Sequence, residues 1–118
     1  MKKQTKQQPN TPFTIFLNPK IEKQLENGPL LRATGQVIIY RDSSGIWGVD
    51  DVEITNMDEI VLMGISIVGY KEQKATIEHF NSMGIHLYDV MRKELQEYVT
   101  MGGDATQFVL EHTGIKLP

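Results

Sequence analysis

The chain has 118 residues, of which 40% are hydrophobic and 23% are charged, as expected for one globular domain. It contains no cysteine, so disulfide bonds, thiolate nucleophiles and cysteine-bound zinc are excluded. The longest apolar run, residues 60–68, is far shorter than the roughly 20 residues of a membrane-spanning helix, and no apolar core follows the N-terminal lysines as in a signal peptide. We therefore expect a soluble, cytoplasmic protein with no membrane contact.

Charge is distributed unevenly along the chain. Residues 1–11 contain Lys2, Lys3 and Lys6 without an acidic residue, whereas the rest has 9 basic and 15 acidic residues. This pattern predicts a disordered basic tail at 1–11 and a single domain at 12–118. The acidic body would repel nucleic acid phosphates, which favours a solvated tail over a nucleic acid contact.

The first predicted elements are a strand at 13–17 and a short helix at 19–26. Asn18 before Pro19 matches a helix N-cap followed by a first helical residue. Ile21 and Leu25 are four apart, as on one helix face, and Gly28 is expected to end the helix.

A β region follows. The run at 36–41 is rich in β-branched and aromatic residues, 42–45 has the composition of a turn, and 46–49 can complete a hairpin. Residues 52–55 alternate apolar with polar, as in a half-buried strand. The run at 59–68 fits one long strand, two strands bent at Gly64, or a helix, and its β-branched residues favour strand.

The C-terminal half changes to a helical period. Residues 71–83 predict a helix closed by Gly84, and the next helix has the clearest apolar stripe of the chain: Leu87, Val90, Met91, Leu95, Tyr98 and Val99. Residues 101–103 are expected to end it. Asp104 is expected to cap a last helix, with Gln107 completing a capping-box variant, three buried positions (Ala105, Phe108 and Val109), Gly114 as its end and Ile115 folded back onto it.

This order of elements predicts an α+β fold, in which a small, mainly antiparallel sheet from the N-terminal half is packed by about three C-terminal helices.

Residues that could carry out catalysis or bind a metal do not form a recognisable motif. His79, His86 and His112 lack the spacing of a zinc site, and we interpret them as structural or surface residues. None of the serines (Ser43, Ser44, Ser66 and Ser82) lies in a G-x-S-x-G nucleophile elbow. The spacing of His86 and Asp89 allows a base–acid pair, but it equally matches an acidic first helical turn. We therefore predict no cofactor, no metal and no enzymatic activity.

Two groups of residues are candidate partner contacts. The acidic stretch at 42–59 has no basic residue, and its members Asp50, Asp51 and Glu53 are interpreted as a charged sheet edge rather than a cation site. Tyr40 and Trp47 flank the predicted turn beside Arg41. They form either an exposed anchor for a partner or, as we favour for the tryptophan, part of the core.

The leading functional hypothesis is a non-enzymatic protein–protein interaction module, with self-association into a homodimer or larger homo-oligomer as one form. The apolar run at 59–68 exceeds what a one-sided sheet needs, which suggests pairing with a partner strand. The acidic 42–59 region would steer a basic partner. The alternative is a nucleic-acid-associated accessory protein that uses the basic tail and the Tyr40, Arg41 and Trp47 face.

Overall fold

The computed structural model describes residues 13–101 and 103–113. The predicted basic tail at 1–11, residue 102 and the expected end of the last helix at Gly114 and Ile115 lie outside the described residues. Within them, a curled antiparallel sheet from the N-terminal half packs against three C-terminal helices. The predicted α+β fold class is confirmed.

The secondary structure elements follow in the order of strands first and helices second. The strands are β1 (Phe13–Leu17), β2 (Lys20–Gln24), β3 (Leu30–Arg41), β4 (Trp47–Leu62) and β5 (Ile65–Ile67). The helices are α1 (Tyr70–Ser82), α2 (Leu87–Thr100) and α3 (Thr106–Thr113).

The two long strands β3 and β4 form the centre of the sheet. β1 and β2 pair in succession along the other side of β3, where Leu17 lies opposite Val37 and Lys20 lies opposite Thr34. β5 pairs with the end of β4, so the strand order is β1-β3-β4-β5 with β2 beside β3. Three register shifts between β3 and β4 increase the local twist and let the sheet curl around the helices.

The core lies between the inner face of the sheet and α2. Alternate residues of β3 point inward because side chains alternate across a strand, and Leu31, Val37 and Ile39 are fully buried. The predicted stripe of α2 is confirmed at its buried positions, which are Leu87, Met91, Leu95 and Val99. The predicted buried edge of α3 is confirmed as well, at Ala105, Phe108 and Val109.

α2 packs closely against the sheet at Gly35. A Cβ atom at this position would collide with the side chain of Leu95 and would lie 2.9 Å from the carbonyl oxygen of Glu53. Glycine here therefore permits close packing of a helix on a strand.

The helix predicted at 19–26 is wrong, because this segment forms β2. Ile21 lies opposite Ala33 in the ladder with β3 and is buried, so two-residue alternation overrides the four-residue spacing to Leu25. Asn18 does not cap a helix, and its Nδ2 atom donates to the carbonyl oxygen of Gly35 at 3.3 Å. In the turn that follows β2, Asn27 rather than Gly28 takes the left-handed conformation, with a φ of 55°.

The strands predicted at 36–41, 46–49 and 52–55 are parts of longer strands. β3 already begins at Leu30, and β4 continues through residues 56–58, which the sequence suggested as a break. Of the alternatives for residues 59–68, two strands are confirmed: β4 ends at Leu62, Met63 and Gly64 form the turn, and β5 returns.

The helix ends agree in part with their sequence signals. Gly84, with a φ of 80°, follows α1 as predicted. α2 ends at Thr100, and its C-cap residue Met101 takes the left-handed conformation with a φ of 46°. The Oδ1 atom of Asp104 accepts a hydrogen bond from the Thr106 N–H at 2.9 Å, so the predicted cap is confirmed, but Gln107 donates to Glu111 and does not complete a capping box. No helix of the described residues is long and apolar enough to cross a lipid bilayer.

Candidate protein interaction surface

A large apolar surface lies at the end of the sheet formed by the β4–β5 turn and the start of α1. Met63 is 92% exposed, Tyr70 is 80% exposed, and Ile65 and Val68 are each 65% exposed. No residue from 60 to 70 is charged. We call the surface formed by Met63, Ile65, Val68 and Tyr70 the β5 surface. Its apolar side chains lie on β5 and beside it.

β5 is an edge of the sheet within the described residues. β4 is its partner on one side, and no strand of residues 13–101 and 103–113 pairs with its other side. An unpaired strand edge presents backbone donors and acceptors that can bind another extended chain. The arrangement can therefore supply both backbone hydrogen bonds and apolar contacts to a partner.

A groove of about 360 Å³ opens beside the β5 surface, between α1 and the middle of β4. Tyr70, Tyr88 and Ile77 supply its apolar lining, and its polar lining comes from Asn56, Gln73, Lys74 and Glu78. The Nε2 atom of Gln73 donates to the carbonyl oxygen of Ile67 at 3.1 Å, which holds the start of α1 against β5. The groove is continuous with the β5 surface through Tyr70.

On the outer face of the sheet, a row of polar side chains crosses four strands. The Nε atom of Arg32 on β3 donates to Glu22 on β2 at 2.8 Å, and its guanidinium also donates to Glu59 on β4 at 2.5 Å. The Ser66 hydroxyl on β5 donates to the second oxygen of Glu59. This row fixes the register of β5 relative to the rest of the sheet.

The hydrogen bonds of the row perturb both charged partners. The Ser66 hydroxyl, followed by the Arg32 guanidinium, lowers the pKa of Glu59 because both stabilise its carboxylate form. The carboxylates of Glu22 and then Glu59 raise the pKa of Arg32. These contacts keep Glu59 ionised, and its structural role in the row accounts for the lowered pKa.

The acidic stretch at 42–59 does not form one surface. Glu59 belongs to the row, and Asp58 accepts from Thr34 at 2.7 Å and from Asn56 at 2.6 Å, with Lys20 3.9 Å away. Asp42 lies in the hairpin turn, where the Ser44 hydroxyl and then the Ile46 N–H lower its pKa. Each of these carboxylates is therefore engaged within the chain.

Asp50, Asp51 and Glu53 remain as exposed acidic residues in the first half of β4. Between Asp51 and Glu53, the carbonyl oxygen of Val52 accepts a hydrogen bond from the Nε atom of Arg92 at 2.9 Å. Within residues 13–101 and 103–113, no three His, Asp or Glu side chains are grouped closely enough to hold a metal ion. Their predicted contact with a partner stays a prediction.

The structure separates the aromatic candidates. Trp47 is fully buried, so the core alternative is confirmed for its ring, and Arg41 is buried above it with its guanidinium carbon 5.4 Å from the ring centroid. Tyr40 is exposed and faces the opposite side of the sheet, because successive side chains of a strand alternate. The exposed group of all three residues that the sequence allowed is therefore not formed.

The histidines occupy three different places. The Nδ1 atom of His86 lies 2.9 Å from the Asn81 amide oxygen, and no hydrogen bond joins His86 to Asp89 in the structure. The Nδ1–H of His112 donates to the carbonyl oxygen of Phe108 at 3.0 Å, and its Nε2 atom lies 2.9 Å from the Tyr98 hydroxyl. His79 contacts the ring of Phe80 edge-on. These contacts support a structural interpretation.

No protein-family model, no curated protein and no solved structure matches this chain.

The sequence located the β5 surface only in part. Its apolar run at 59–68 was visible from composition, whereas the outward position of Met63 depends on a turn conformation that composition does not reveal. The row from Glu22 to Ser66 was missed, because its members are brought together by strand register and share no local spacing. In the sequence, the only indication of this row is the presence of basic and acidic residues at 20–34 together with acidic residues at 58–59.

Proposed function

We propose that the protein is a non-enzymatic interaction module that binds an extended polypeptide segment along β5. The partner strand would lie antiparallel or parallel to β5 and cover the β5 surface with its own apolar side chains. A second copy of the chain is one such partner. We assign the module to the cytoplasm, in keeping with a chain that has no cysteine.

The observation that carries the proposal is an exposed strand edge without any charge. Edge strands of natural sheets are usually protected by lysines, other charges, proline or a covering segment. β2, on the opposite side of the sheet, follows that rule with Lys20, Glu22 and Lys23. β5 has no charged residue, its own Ile65 is exposed, and three further large exposed hydrophobic side chains (Met63, Val68 and Tyr70) flank it. Such an apolar patch is typical of an interaction site.

The backbone at Met63 supports the same conclusion. Its φ of 52° lies in the left-handed region, which costs a residue with a side chain roughly 1–2 kcal/mol relative to the usual conformation. Turns of this type, with positive φ at both central residues, prefer asparagine or aspartate before glycine. Met63 precedes Gly64 instead, and its side chain is 92% exposed. A costly, exposed methionine is explained if a partner covers it.

The neighbouring acidic residues suit a secondary role in this proposal. Asp50, Asp51 and Glu53 lie in the first half of β4, the strand that pairs with β5. They are therefore distant from the turn at Met63. Unpaired exposed charges of one sign accelerate encounter with a partner of opposite charge. Together with Tyr40, they are candidates for steering and peripheral contact rather than for the apolar anchor.

The test uses a pair of variants at Ser66. Residues opposite each other in an antiparallel ladder alternate between hydrogen-bonded and non-hydrogen-bonded pairs. The two-residue turn closes on the bonded pair Leu62 and Ile65, so Ser66 belongs to a non-bonded pair and its backbone N–H points away from β4. Ser66→Pro therefore removes a donor for a partner without removing a bond to β4. Ser66→Ala keeps that donor and is the matched control.

Peptides should be selected from a library of extended ten-residue sequences against the wild-type protein, at a concentration where sedimentation velocity gives a monomer. We expect to obtain β-prone peptides that bind the wild type and Ser66→Ala with similar affinity. Their affinity for Ser66→Pro should be lower by about tenfold or more. Their binding should shift the amide signals of Ile65–Ile67 in NMR spectra. Failure to select any peptide, or peptides that bind Ser66→Pro as well as the wild type, would contradict the proposal.

A further inference from the structure

We infer that the polypeptide bound along β5 is a second copy of this chain, with the two β5 strands antiparallel about a twofold axis at Ser66. This inference rests on the proposed function and names its partner. The two sheets would then form one continuous sheet across the axis. Three features of the strand lead to it: the direction of its backbone groups, its symmetry as a sequence, and the charges around it.

The backbone of Ser66 is suited to lie on such an axis. Its N–H and C=O both point away from β4, because Val61 and Ser66 form a non-bonded pair of the β4–β5 ladder. In an antiparallel pair centred on Ser66, each copy donates its Ser66 N–H to the Ser66 carbonyl of the other. A twofold contact requires this reciprocity, since the same surface patch is used by both copies.

The sequence of β5 is the same in both directions. It consists of Ile65, Ser66 and Ile67, so an antiparallel copy centred on Ser66 places Ile65 of one chain opposite Ile67 of the other. Both isoleucines point to the helix side of the sheet, as their pairing with Leu62 and Ile60 requires. Branched aliphatic residues directly opposite each other stabilise paired strands. The two serines meet on the outer face.

Electrostatics permit a second copy at this edge. A residue on a twofold axis faces itself, so any charge at the centre of β5 would meet the same charge, and residues 60–70 contain none. Glu59, on the outer face of the neighbouring strand β4, forms an ion pair with Arg32. Two Glu59 side chains across the axis would be separated by three strand spacings, about 14 Å, and would also be offset along the strands, so they would lie beyond the screening length of about 8 Å at physiological salt.

Burial of the exposed hydrophobic side chains would favour association of the two copies. Val68 and Tyr70 follow β5 directly, and Met63 precedes it across the turn, so in an antiparallel pair the residues before one strand lie beside those after the other. Each copy would thus cover part of the β5 surface of its partner. Contacts limited to three-residue strands and their flanks make a small interface, and we expect association that depends on concentration.

The experiment is a charge exchange at Ser66, read by sedimentation equilibrium at several micromolar concentrations. Ser66→Lys and Ser66→Glu, each combined with Glu59→Gln so that position 66 has no carboxylate neighbour in its own chain, place like charges opposite each other in this register. We expect each variant by itself to dissociate about tenfold more readily than the wild type, and an equimolar mixture of the two to form a heterodimer of near wild-type stability. Circular dichroism and NMR spectra of each variant at low concentration establish that it is folded, and Ser66→Ala provides a folded variant without charge.

The outcomes separate this inference from the proposed function. A wild-type protein that stays monomeric throughout, yet binds selected peptides at Ile65–Ile67, overturns the inference and leaves the proposed function standing. A dimer that neither charge variant weakens, or a mixture that fails to restore association, also overturns it, because position 66 would not face itself. A monomer that binds no peptide contradicts both.

Discussion

The guanidinium of Arg41 lies over the ring of Trp47, with 5.4 Å between the guanidinium carbon and the ring centroid, and both side chains are buried. The two residues are directly opposite each other at the end of the β3–β4 hairpin. The carbonyl oxygen of Trp47 also accepts a hydrogen bond from the Ala105 N–H at 3.1 Å. This cluster therefore joins the hairpin end to the start of α3 and is part of the core rather than a binding face.

Trp47 is the only tryptophan of the chain, so its fluorescence reports on this cluster alone. Because the ring is fully buried, we expect blue-shifted emission with weak acrylamide quenching, and a red shift on unfolding in urea. The Ser66 variants should leave the emission spectrum unchanged, since β5 pairs with the opposite end of β4 from Trp47. Red-shifted, readily quenched emission from the folded protein would contradict the buried position.

Substitution at Gly35 tests the close approach of α2 to the sheet. Gly35→Ala places a Cβ atom against Leu95 and 2.9 Å from the Glu53 carbonyl oxygen, so we expect a loss of about 1–3 kcal/mol in the free energy of unfolding. Gly48→Ala is the matched control in β4, because the nearest atom to its Cβ, the Tyr40 carbonyl oxygen, is 4.0 Å away. The control should change stability by less than about 0.5 kcal/mol. Equal urea denaturation midpoints for the two variants would show that α2 lies farther from β3.

Local sequence patterns predicted the helices well and the strands less completely. α2 carries an apolar stripe over more than three turns, and such a period identifies both the helix and its buried side. The segment at 19–26 failed because Asn18 and Pro19 have a helix-start pattern, while the hydrogen bonds that decide its conformation come from β3. A local pattern cannot report a partner strand whose paired residues lie 6 to 14 positions further along the chain.

The same reasoning explains what the sequence revealed of the candidate site. The uncharged run that ends in β5 was visible as composition, and so was its preference for strand. The burial of Trp47 was one of two alternatives, because a lone aromatic residue beside a turn fits the core and the surface equally well. Which side of Ser66 faces a partner follows only from the ladder register, which fixes the direction of each backbone N–H.

Acid should weaken the row on the outer face of the sheet. The pKa of Glu59 is lowered in the folded state, so its contribution to stability is present above the pKa of the unfolded chain, about 4.3, and is lost as the pH falls through the folded pKa. We expect the free energy of unfolding to fall as the pH drops below about 5 and on through the folded pKa of Glu59. Glu59→Gln should make this slope shallower, since an amide cannot titrate.

The contribution of the Ser66 hydroxyl can be separated in the same experiment. Ser66→Ala removes the hydrogen bond that contributes most to lowering the pKa of Glu59, and it should also reduce the acid dependence while leaving Arg32 in place. Chemical denaturation at a series of pH values gives both slopes. If neither substitution alters the slope, the row does not contribute to acid sensitivity.

The start of α3 depends on the side chain of Asp104. Its Oδ1 atom accepts from the Thr106 N–H at 2.9 Å, and hydrogen bonds from Thr106 lower the pKa of Asp104. Asp104→Ala should cost about 1 kcal/mol, as for other N-cap deletions. Gln107→Ala is the control, because Gln107 donates to Glu111 rather than to the helix start, and it should cost clearly less. Equal losses in thermal denaturation would point to a capping box after all.

Met63 provides a test of whether stability is sacrificed for binding. Met63→Asn places a residue that tolerates positive φ before Gly64, so we expect the free energy of unfolding to rise by about 0.5–1 kcal/mol. The same substitution removes a 92% exposed apolar side chain from the β5 surface, so peptide binding and self-association should both weaken. A residue that improves stability and impairs binding is the pattern expected at a functional position.

Met101→Asn is the matched control for this trade-off. Met101 also has a positive φ, 46°, but it ends α2, outside the β5 surface. Relief of its backbone should stabilise the fold by a similar amount, about 0.5–1 kcal/mol, without altering association. Urea denaturation and sedimentation equilibrium on both variants measure the two effects separately. Were Met63→Asn to bind and associate as the wild type does, the methionine would contribute nothing to the surface, and the argument from its backbone strain would be wrong.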